Sequence, residues 1–294
     1  MNERILLAPA GWEVRYEEGV YVDLVEFKPS KILVPFSRGY SSRTLPLRTR
    51  IQAKAKSLNI QYVEIEQDYC DAVTLYKTLS KVFDDHLVTA THVRFNATTT
   101  PRDLIWYALH LLSVRKIHTE FSYFKPLKYS DDYLSRDAKA PRLVLKRSGI
   151  AYPDQPTCVL ALSGFDDERL SQLKQRYEPK TMLIGYQSGN QLDNAKRNSS
   201  VRLEPSEGEK CFEFNCYDVT DKSLDILCTE LSKLNEPHNV IAASLGPKPS
   251  ALTLFKLTQV MPEVGLVYIP AGDYSEDYSI GIDLVNRTLD EIKW

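Results

Sequence analysis

The sequence predicts an α/β fold made of two tandem Rossmann-like units with mostly parallel sheets, related by internal pseudo-duplication. Apolar runs of strand length alternate with helical patterns along the chain, which is the order expected of a parallel sheet covered on both faces. Matching segments recur at a nearly constant spacing. A stretch with several prolines interrupts the pattern near residues 148–156, so we expect the units at residues 1–148 and 149–294.

In the first half, short apolar runs predict strands, and longer runs with one apolar face predict helices. Trp12 to Phe27 alternates loosely and predicts an extended segment or a hairpin. Arg142 to Lys146 predicts a strand at a sheet edge or between the halves. The predicted strands are 4–8, 31–36, 60–65, 93–95 and 119–124, and the predicted helices are 47–58, 71–83 and one that begins at Pro101.

The second half repeats this order of strands and helices. Residues 187–209 are polar and predict a mobile insertion, and residues 284–294 predict a short terminal helix. The predicted strands are 157–162, 181–186, 211–216, 240–243 and 265–269, and the other predicted helices are 168–177, 223–234 and 251–260.

Short matches between the halves support a duplication. Pro101 and Pro249, which open the corresponding helices, are 148 residues apart. After the helix, YSDDY at 129–133 matches YSEDY at 274–278 at an offset of 145 residues. A duplication implies a pseudo-two-fold axis with equivalent loops across it. The alternative is one irregular doubly wound domain in which common elements recur.

The first candidate site is the sequence NATTTPR at 96–102, which lies between a strand and a helix. Thr100, Pro101 and Asp103 are explained by helix capping, as N-cap, first helical residue and capping box. Hydroxyl groups at a helix N-terminus beside an arginine suit a phosphate group or a nucleobase edge. The side chains that capping leaves for a ligand are Asn96, Thr98, Thr99 and Arg102.

The partner loop is SLGPKPS at 244–250, which a rigid turn with a solvated lysine would also explain. Gly246 allows a close approach of the backbone to a ligand, and Lys248 is a cation at the end of a buried strand. Two further loops, which we expect at equivalent positions after the first strand of each half, would share the crevice at the carboxyl ends of the strands. These loops and the partner loop add the candidates Ser37, Arg38, Ser163, Gly246, Lys248 and Ser250.

Composition and missing motifs exclude several classes of function. A net charge of −2 disfavours general duplex nucleic-acid binding. The five cysteines form no CxxC pair, which predicts reduced thiols in a cytoplasmic protein, and we expect neither a signal peptide nor a membrane span. No metal-site, Walker or GxSxG pattern occurs, so we expect no metal or cofactor and name no catalytic residue. The acid pairs 131–132 and 276–277 are read as packed turns rather than acid–base groups.

The NATTTPR segment and its SLGPKPS counterpart resemble the ligand-binding segment of CRISPR-associated Rossmann-fold (CARF) domains. The resemblance covers most of each half in order of elements but only about a dozen residues in motif. It implies a sensor of a nucleotide second messenger in prokaryotic antiviral defence, a homodimer and an effector partner. This sequence departs from the family pattern at Arg102, where lysine is common. Its first loop also lacks glycine, and its second loop lacks threonine. The contacts it implies are Ser37, Arg38, Asn96, Thr98, Thr99, Arg102, Gly246, Lys248 and Ser250.

Three functions remain open at this point. The first is a sensor or regulatory subunit that binds a nucleotide or a cyclic oligonucleotide without turning it over. The second is a phosphoesterase that acts on such ligands, and the third is a protein–protein scaffold that binds no small ligand. The sequence offers no convincing general base or metal site, so the sensor ranks first.

Overall fold

The computed structural model divides the chain into two units. The first consists of Met1–Leu134 together with Ser275–Trp294, and the second is Ser135–Tyr274. In the part of the chain that is described, no helix is long and apolar enough to cross a membrane. The structure describes residues 3–69, 71–130, 133–164, 167–187 and 205–294.

The first unit contains a six-stranded sheet whose strands run in the order β3-β2-β1-β4-β5 and are parallel. β16 joins the outer side of β5 in the antiparallel direction. This is the strand order of a Rossmann-like sheet. Numbered along the chain, the strands are β1 (Glu3–Leu7), β2 (Lys31–Ser37), β3 (Gln61–Gln67), β4 (Ala90–Asn96), β5 (His118–Tyr123) and β16 (Thr288–Ile292).

Four described helices connect these strands. The helices α1 and α2 pack beside each other, and so do α3 and α4. The core between the sheet and the first pair includes Leu6, Val20 and Ile51, all fully buried. The helices are α1 (Val14–Phe27), α2 (Ser41–Ser57), α3 (Ala72–His86) and α4 (Arg102–Val114), and a short 3-10 turn at Arg38–Tyr40 precedes α2.

The expectation that residues 12–27 are extended is wrong, because α1 occupies them. Tyr16, Val20, Leu24 and Phe27 are all buried, and their spacing of four, four and three residues puts them on one helical face. A Cβ on Gly19 would lie 2.7 Å from Phe124, so glycine allows α1 to pack closely here.

The second unit repeats the sheet order of the first. Its parallel strands run β11-β10-β9-β12-β13, and β8 joins β13 in the antiparallel direction. The predicted fold class, with two mostly parallel Rossmann-like sheets in tandem, is confirmed. The elements are β8 (Arg142–Leu143), β9 (Thr157–Leu162), α5 (Asp167–Tyr177), β10 (Thr181–Gln187), β11 (Glu209–Phe214), α6 (Asp221–Ser232), β12 (Asn239–Ser244), α7 (Pro249–Val260) and β13 (Gly265–Tyr268).

Two further pairs of short strands lie one in each unit. In the first unit β6 (Lys128–Tyr129) pairs with β15 (Ser279–Ile280). In the second unit β7 (Ser135–Arg136) pairs with β14 (Asp273–Tyr274).

The last segment of the chain differs from the sequence expectation. Residues 288–292 form the strand β16 on the first sheet, so the terminal helix expected at 284–294 is wrong. The edge strand β8 lies before residue 148, yet it pairs within the second sheet. The units therefore divide the chain differently from the expected ranges 1–148 and 149–294. Most of the predicted insertion, residues 188–204, lies outside the described residues.

Candidate functional site

The carboxyl ends of two neighbouring strands form the same kind of edge in each unit. β1 lies beside β4 in the first sheet, and β9 lies beside β12 in the second. From β1 the chain continues to β2, on one side of the pair, and from β4 it continues to β5, on the other side. In the second sheet it likewise continues from β9 to β10 and from β12 to β13, in opposite directions along the strand order. Ligands of open α/β sheets bind at such a reversal of strand order. These two edges are therefore the candidate positions for a ligand.

At the edge of the second sheet, two glycines bring the two loops into backbone contact. A Cβ on Gly164 would meet the carbonyl oxygen of Leu245 and would lie 2.8 Å from Cα of Gly246. A Cβ on Gly246 would lie 2.5 Å from the carbonyl oxygen of Ser163. Larger residues at either position would push the loops apart.

Ser163 has a buried hydroxyl at this contact. The residue is 4% exposed, and its Oγ has no hydrogen-bond partner within the described structure. A buried polar group without a partner costs about 1–3 kcal/mol, so such groups are rare and call for an explanation. A ligand atom that bonds to Ser163 would remove this cost.

The helix α7 begins directly after this loop, with Lys248 as its N-cap residue. Its first turn contains no acidic side chain. The N-terminus of a helix carries a partial positive charge that attracts anions, and the lysine adds a full charge. Ser250 does not add to the site, because its Oγ lies 2.7 Å from Oγ of Ser244 and donates to the carbonyl oxygen of Pro247.

Sequence reasoning missed two residues at this edge. Gln187 ends β10, and its amide donates to Oδ1 of Asn215 at 3.0 Å and accepts from the backbone N–H of Cys216 at 2.9 Å. Sγ of Cys216 would lie 3.1 Å from a Cβ on Gly246. A glutamine directly after an apolar strand was the available signal. Its bonds fix the loop that lies against Gly246.

The first unit uses its predicted loop differently. Asn96 donates to Asp23 at 2.7 Å and accepts from the backbone N–H of Thr98 at 3.1 Å. Oγ1 of Thr98 accepts from the backbone N–H of Phe124 at 3.1 Å. Oγ1 of Thr99 donates to the carbonyl oxygen of Pro9 at 3.4 Å. These polar groups join parts of the protein to one another.

The first turn of α4 contains a carboxylate, whereas the first turn of α7 has none. The buried Asp103 lies in the first turn, and its Oδ1 accepts from the backbone N–H of Leu104 at 2.9 Å. Pro101, not Thr100, is the N-cap residue, and it supplies no side-chain cap, so the expected capping arrangement is wrong. Arg102 is half-buried beside it. The negative charge of Asp103 disfavours a phosphate group at this helix.

Asp23 is the centre of a buried charge network beneath the first edge. Its carboxylate lies 3.2 Å from Arg94 and 3.4 Å from Arg287, and it accepts from Ser122 at 3.2 Å. Burial raises the pKa of Asp23 to about 6, against the opposing effects of Arg94, Asn96 and Arg287. The network joins α1 to β4, β5 and the last segment of the chain, which is a structural role.

The loops at Ser37 and Ser163 are not equivalent, contrary to the sequence expectation. Ser37 ends the second strand of its unit in chain order, β2, whereas Ser163 follows β9, the counterpart of β1. Arg38 has 71% of its side chain exposed and pairs with Glu66 at 2.7 Å. The hydrogen bond that Arg38 donates to the carboxylate of Glu66 raises the pKa of Arg38.

An aromatic cluster at the first edge was also missed. The rings of Trp12 and Tyr40 lie 5.1 Å apart, and the guanidinium of Arg43 lies 5.7 and 5.4 Å from their centres. Arg43 also pairs with Glu276 at 3.3 Å, so this acid takes part in an ion pair. The other predicted acid pair, 131–132, lies outside the described residues. Within the described ranges, no group of three or more His, Cys, Asp or Glu side chains is placed to hold a metal ion.

Comparisons with known proteins add little to the geometry. No family model and no curated protein matches the chain. The structure of a universal stress protein from Archaeoglobus fulgidus DSM 4304 aligns at 12% identity over 92% of this chain and 97% of that one, with a TM-score of 0.29. The apo form of LigD from Sphingobium sp. strain SYK-6 aligns at 12% identity over 90% and 89%, with a TM-score of 0.25. Scores this low carry no argument about function.

Proposed function

We propose that this protein is a sensor or regulatory subunit that binds a nucleotide or a cyclic oligonucleotide, with a phosphate group held at the carboxyl edge of the second sheet. In this proposal the protein acts in the cytoplasm, in prokaryotic antiviral defence, and passes the signal to an effector protein as a homodimer. The setting rests on the resemblance of the NATTTPR and SLGPKPS segments to CARF domains.

One observation carries the choice of the second unit. The buried hydroxyl of Ser163 has no hydrogen-bond partner among the described residues, and it lies beside the loop that ends in Lys248 at the start of α7. A phosphate oxygen would accept from the hydroxyl and be attracted by the lysine and by the helix dipole. In the first unit, the first turn of the corresponding helix α4 contains the carboxylate of Asp103.

The test is a thermal-shift and calorimetric screen of the full chain against nucleoside phosphates and cyclic oligonucleotides, with mass analysis of the ligand afterwards. A ligand at a hundred times its dissociation constant should stabilise the protein by roughly 2.7 kcal/mol. Lys248→Ala and Ser163→Ala should each weaken binding at least about tenfold, a loss of about 1.4 kcal/mol. Lys56→Ala, an exposed lysine on α2, is the matched control and should change nothing.

The outcomes separate the three functions. Binding of an intact ligand supports the sensor, and a cleaved ligand supports the phosphoesterase. Binding that is lost in Arg102→Ala but kept in Lys248→Ala would move the phosphate to the first unit. No binding of any ligand would overturn the proposal in favour of the scaffold.

A further inference from the structure

Gln67, at the end of β3 in the first unit, has a buried amide without partners. The residue is 1% exposed, and neither Nε2 nor Oε1 has a hydrogen-bond partner in the described structure. Nearly all buried polar groups in folded proteins are paired, because an unpaired one loses its bonds to water without replacement. Here both the donor and the acceptor of one amide are left without a bond.

Tyr69, two residues further along the chain, adds a third group of this kind. Its hydroxyl is buried and also has no hydrogen-bond partner in the described part of the protein. Burial raises the pKa of Tyr69 well above its usual value, and the carboxylate of Asp103 raises it further, so the phenol stays protonated.

The geometry of the sheet places these groups in the same region. Ser37 and Gln67 are register partners in the parallel pair β2–β3, so their side chains leave the same face of the sheet. Two residues of chain span no more than about 7 Å, which keeps Tyr69 close to Gln67. An amide and a protonated phenol carry no charge, and both can donate and accept hydrogen bonds, so they suit the polar edge of an uncharged ligand.

The second unit shows that a buried glutamine in this protein can be fully paired. Gln187 also ends a strand, is 3% exposed, and uses both its amide nitrogen and its amide oxygen in hydrogen bonds. The unpaired state of Gln67 is therefore a local feature of the first unit.

We propose that the carboxyl end of β3 is a second ligand site, where Gln67 and Tyr69 bind the edge of an uncharged planar group with adjacent hydrogen-bond donor and acceptor. A nucleobase and a primary amide both have this chemistry. The amide of a glutamine can bond to such an edge through both its atoms, as it does with adenine. The site does not depend on the anion site of the second unit.

The test uses the full chain and three uncharged probes: adenosine, guanosine and nicotinamide. Equilibrium dialysis should show saturable binding of at least one probe. Binding of a nucleoside identifies a nucleobase site, and binding of nicotinamide alone identifies an amide site. Gln67→Met and Tyr69→Phe should each weaken this binding at least tenfold, and Lys248→Ala should leave it unchanged.

Melting without a ligand separates a binding site from a water-filled gap. Gln67→Met replaces an unpaired amide with an apolar chain of similar shape, so its Tm should equal or exceed that of the parent protein. Gln187→Met is the control, and its Tm should fall because two hydrogen bonds are lost. The proposal is overturned if no probe binds, if Gln67→Met binds as the parent does, or if its Tm falls as far as that of Gln187→Met. The last result would mean that buried water bonds to Gln67.

Discussion

At the carboxyl edge of the first sheet, Asn96, Thr98 and Thr99 bond to neighbouring parts of the protein, and Asp103 occupies the start of the helix. At the same edge of the second sheet, the loops meet through glycines, the hydroxyl of Ser163 has no partner within the described ranges, and Lys248 begins the helix. The two edges have the same strand order. They differ in the charge at the start of the helix and in whether their polar side chains have hydrogen-bond partners in the described structure. The difference teaches that a duplicated fold does not duplicate a site, since the site depends on a few loop side chains.

The largest expected effect concerns the glycine contact of the second edge. Gly164→Ala places a Cβ against the backbone of Leu245 and Gly246, which cannot move aside as a side chain can. We expect a loss of at least about 3 kcal/mol in the free energy of unfolding, measured with urea. In Gly11→Ala the nearest atoms to the new Cβ belong to the side chain of Thr99, and this variant should cost about 1–2 kcal/mol. Equal losses would show that the two edges are packed alike.

The charge network beneath the first edge should give stability a pH dependence. The pKa of Asp23 is about 6 in the folded protein and 3.8 in the reference state, so folding favours the protonated acid. Relative to Asp23→Asn, the parent protein should be most stable below about pH 4 and lose up to about 3 kcal/mol as the pH rises through 6. Urea unfolding of both proteins from pH 4 to 8 measures this. A difference that grows in favour of the parent as the pH rises would mean that Arg94 and Arg287 outweigh burial.

Hydrogen bonds at the strand ends give the next comparison. Asn96→Ala removes two bonds, one of them to the buried carboxylate of Asp23, and should cost about 2 kcal/mol. Ser244→Ala, at the end of the corresponding strand, removes a bond to Ser250 and should cost about 1 kcal/mol. Urea unfolding decides the order. A larger loss for Ser244→Ala would mean that the polar side chains of the second edge stabilise the fold more than those of the first edge.

The smallest expected effect on stability separates charge from packing at the two helices. Lys248→Glu places an acid at the start of α7 and should leave stability unchanged or raise it by about 0.5 kcal/mol, while abolishing binding of nucleoside phosphates. Asp103→Asn removes the acid from α4 and should cost about 0.5 kcal/mol without weakening that binding. Thermal melting and calorimetry on both variants measure the pair. If Lys248→Glu still binds nucleoside phosphates, a positive charge at the start of α7 is not needed for binding at the second edge.

Periodicity and spacing were sufficient to predict the α/β class, the duplication and most strand positions. They failed at α1 because Val20, Val22 and Leu24 alternate like a strand, while the helical spacing of Tyr16, Val20, Leu24 and Phe27 is also present. They failed at β16 because a strand at a sheet edge, half-exposed and polar, has no strong apolar pattern.

The candidate site was predicted less well, for a physical reason. The sequence identifies polar residues at strand ends but cannot show which ones bond to each other. It therefore predicts Asn96 and Ser250 as ligand contacts, although both form hydrogen bonds within the protein. Position along the chain predicts Ser163, and only the structure shows that its hydroxyl is buried and lacks a partner in the described part of the chain. Gln67 was not named, because nothing in its sequence surroundings separates it from a paired glutamine such as Gln187.

The pairing of β16 with β5 determines the order in which the protein can be completed during synthesis. The amino end of a chain leaves the ribosome first, and domains fold as their residues emerge. The second unit is contiguous, from Ser135 to Tyr274, and can close before residues 288–292 exist. The first unit is thus completed after the second, because Arg287 and β16 are synthesised after residue 274 and only then can Arg287 pair with Asp23.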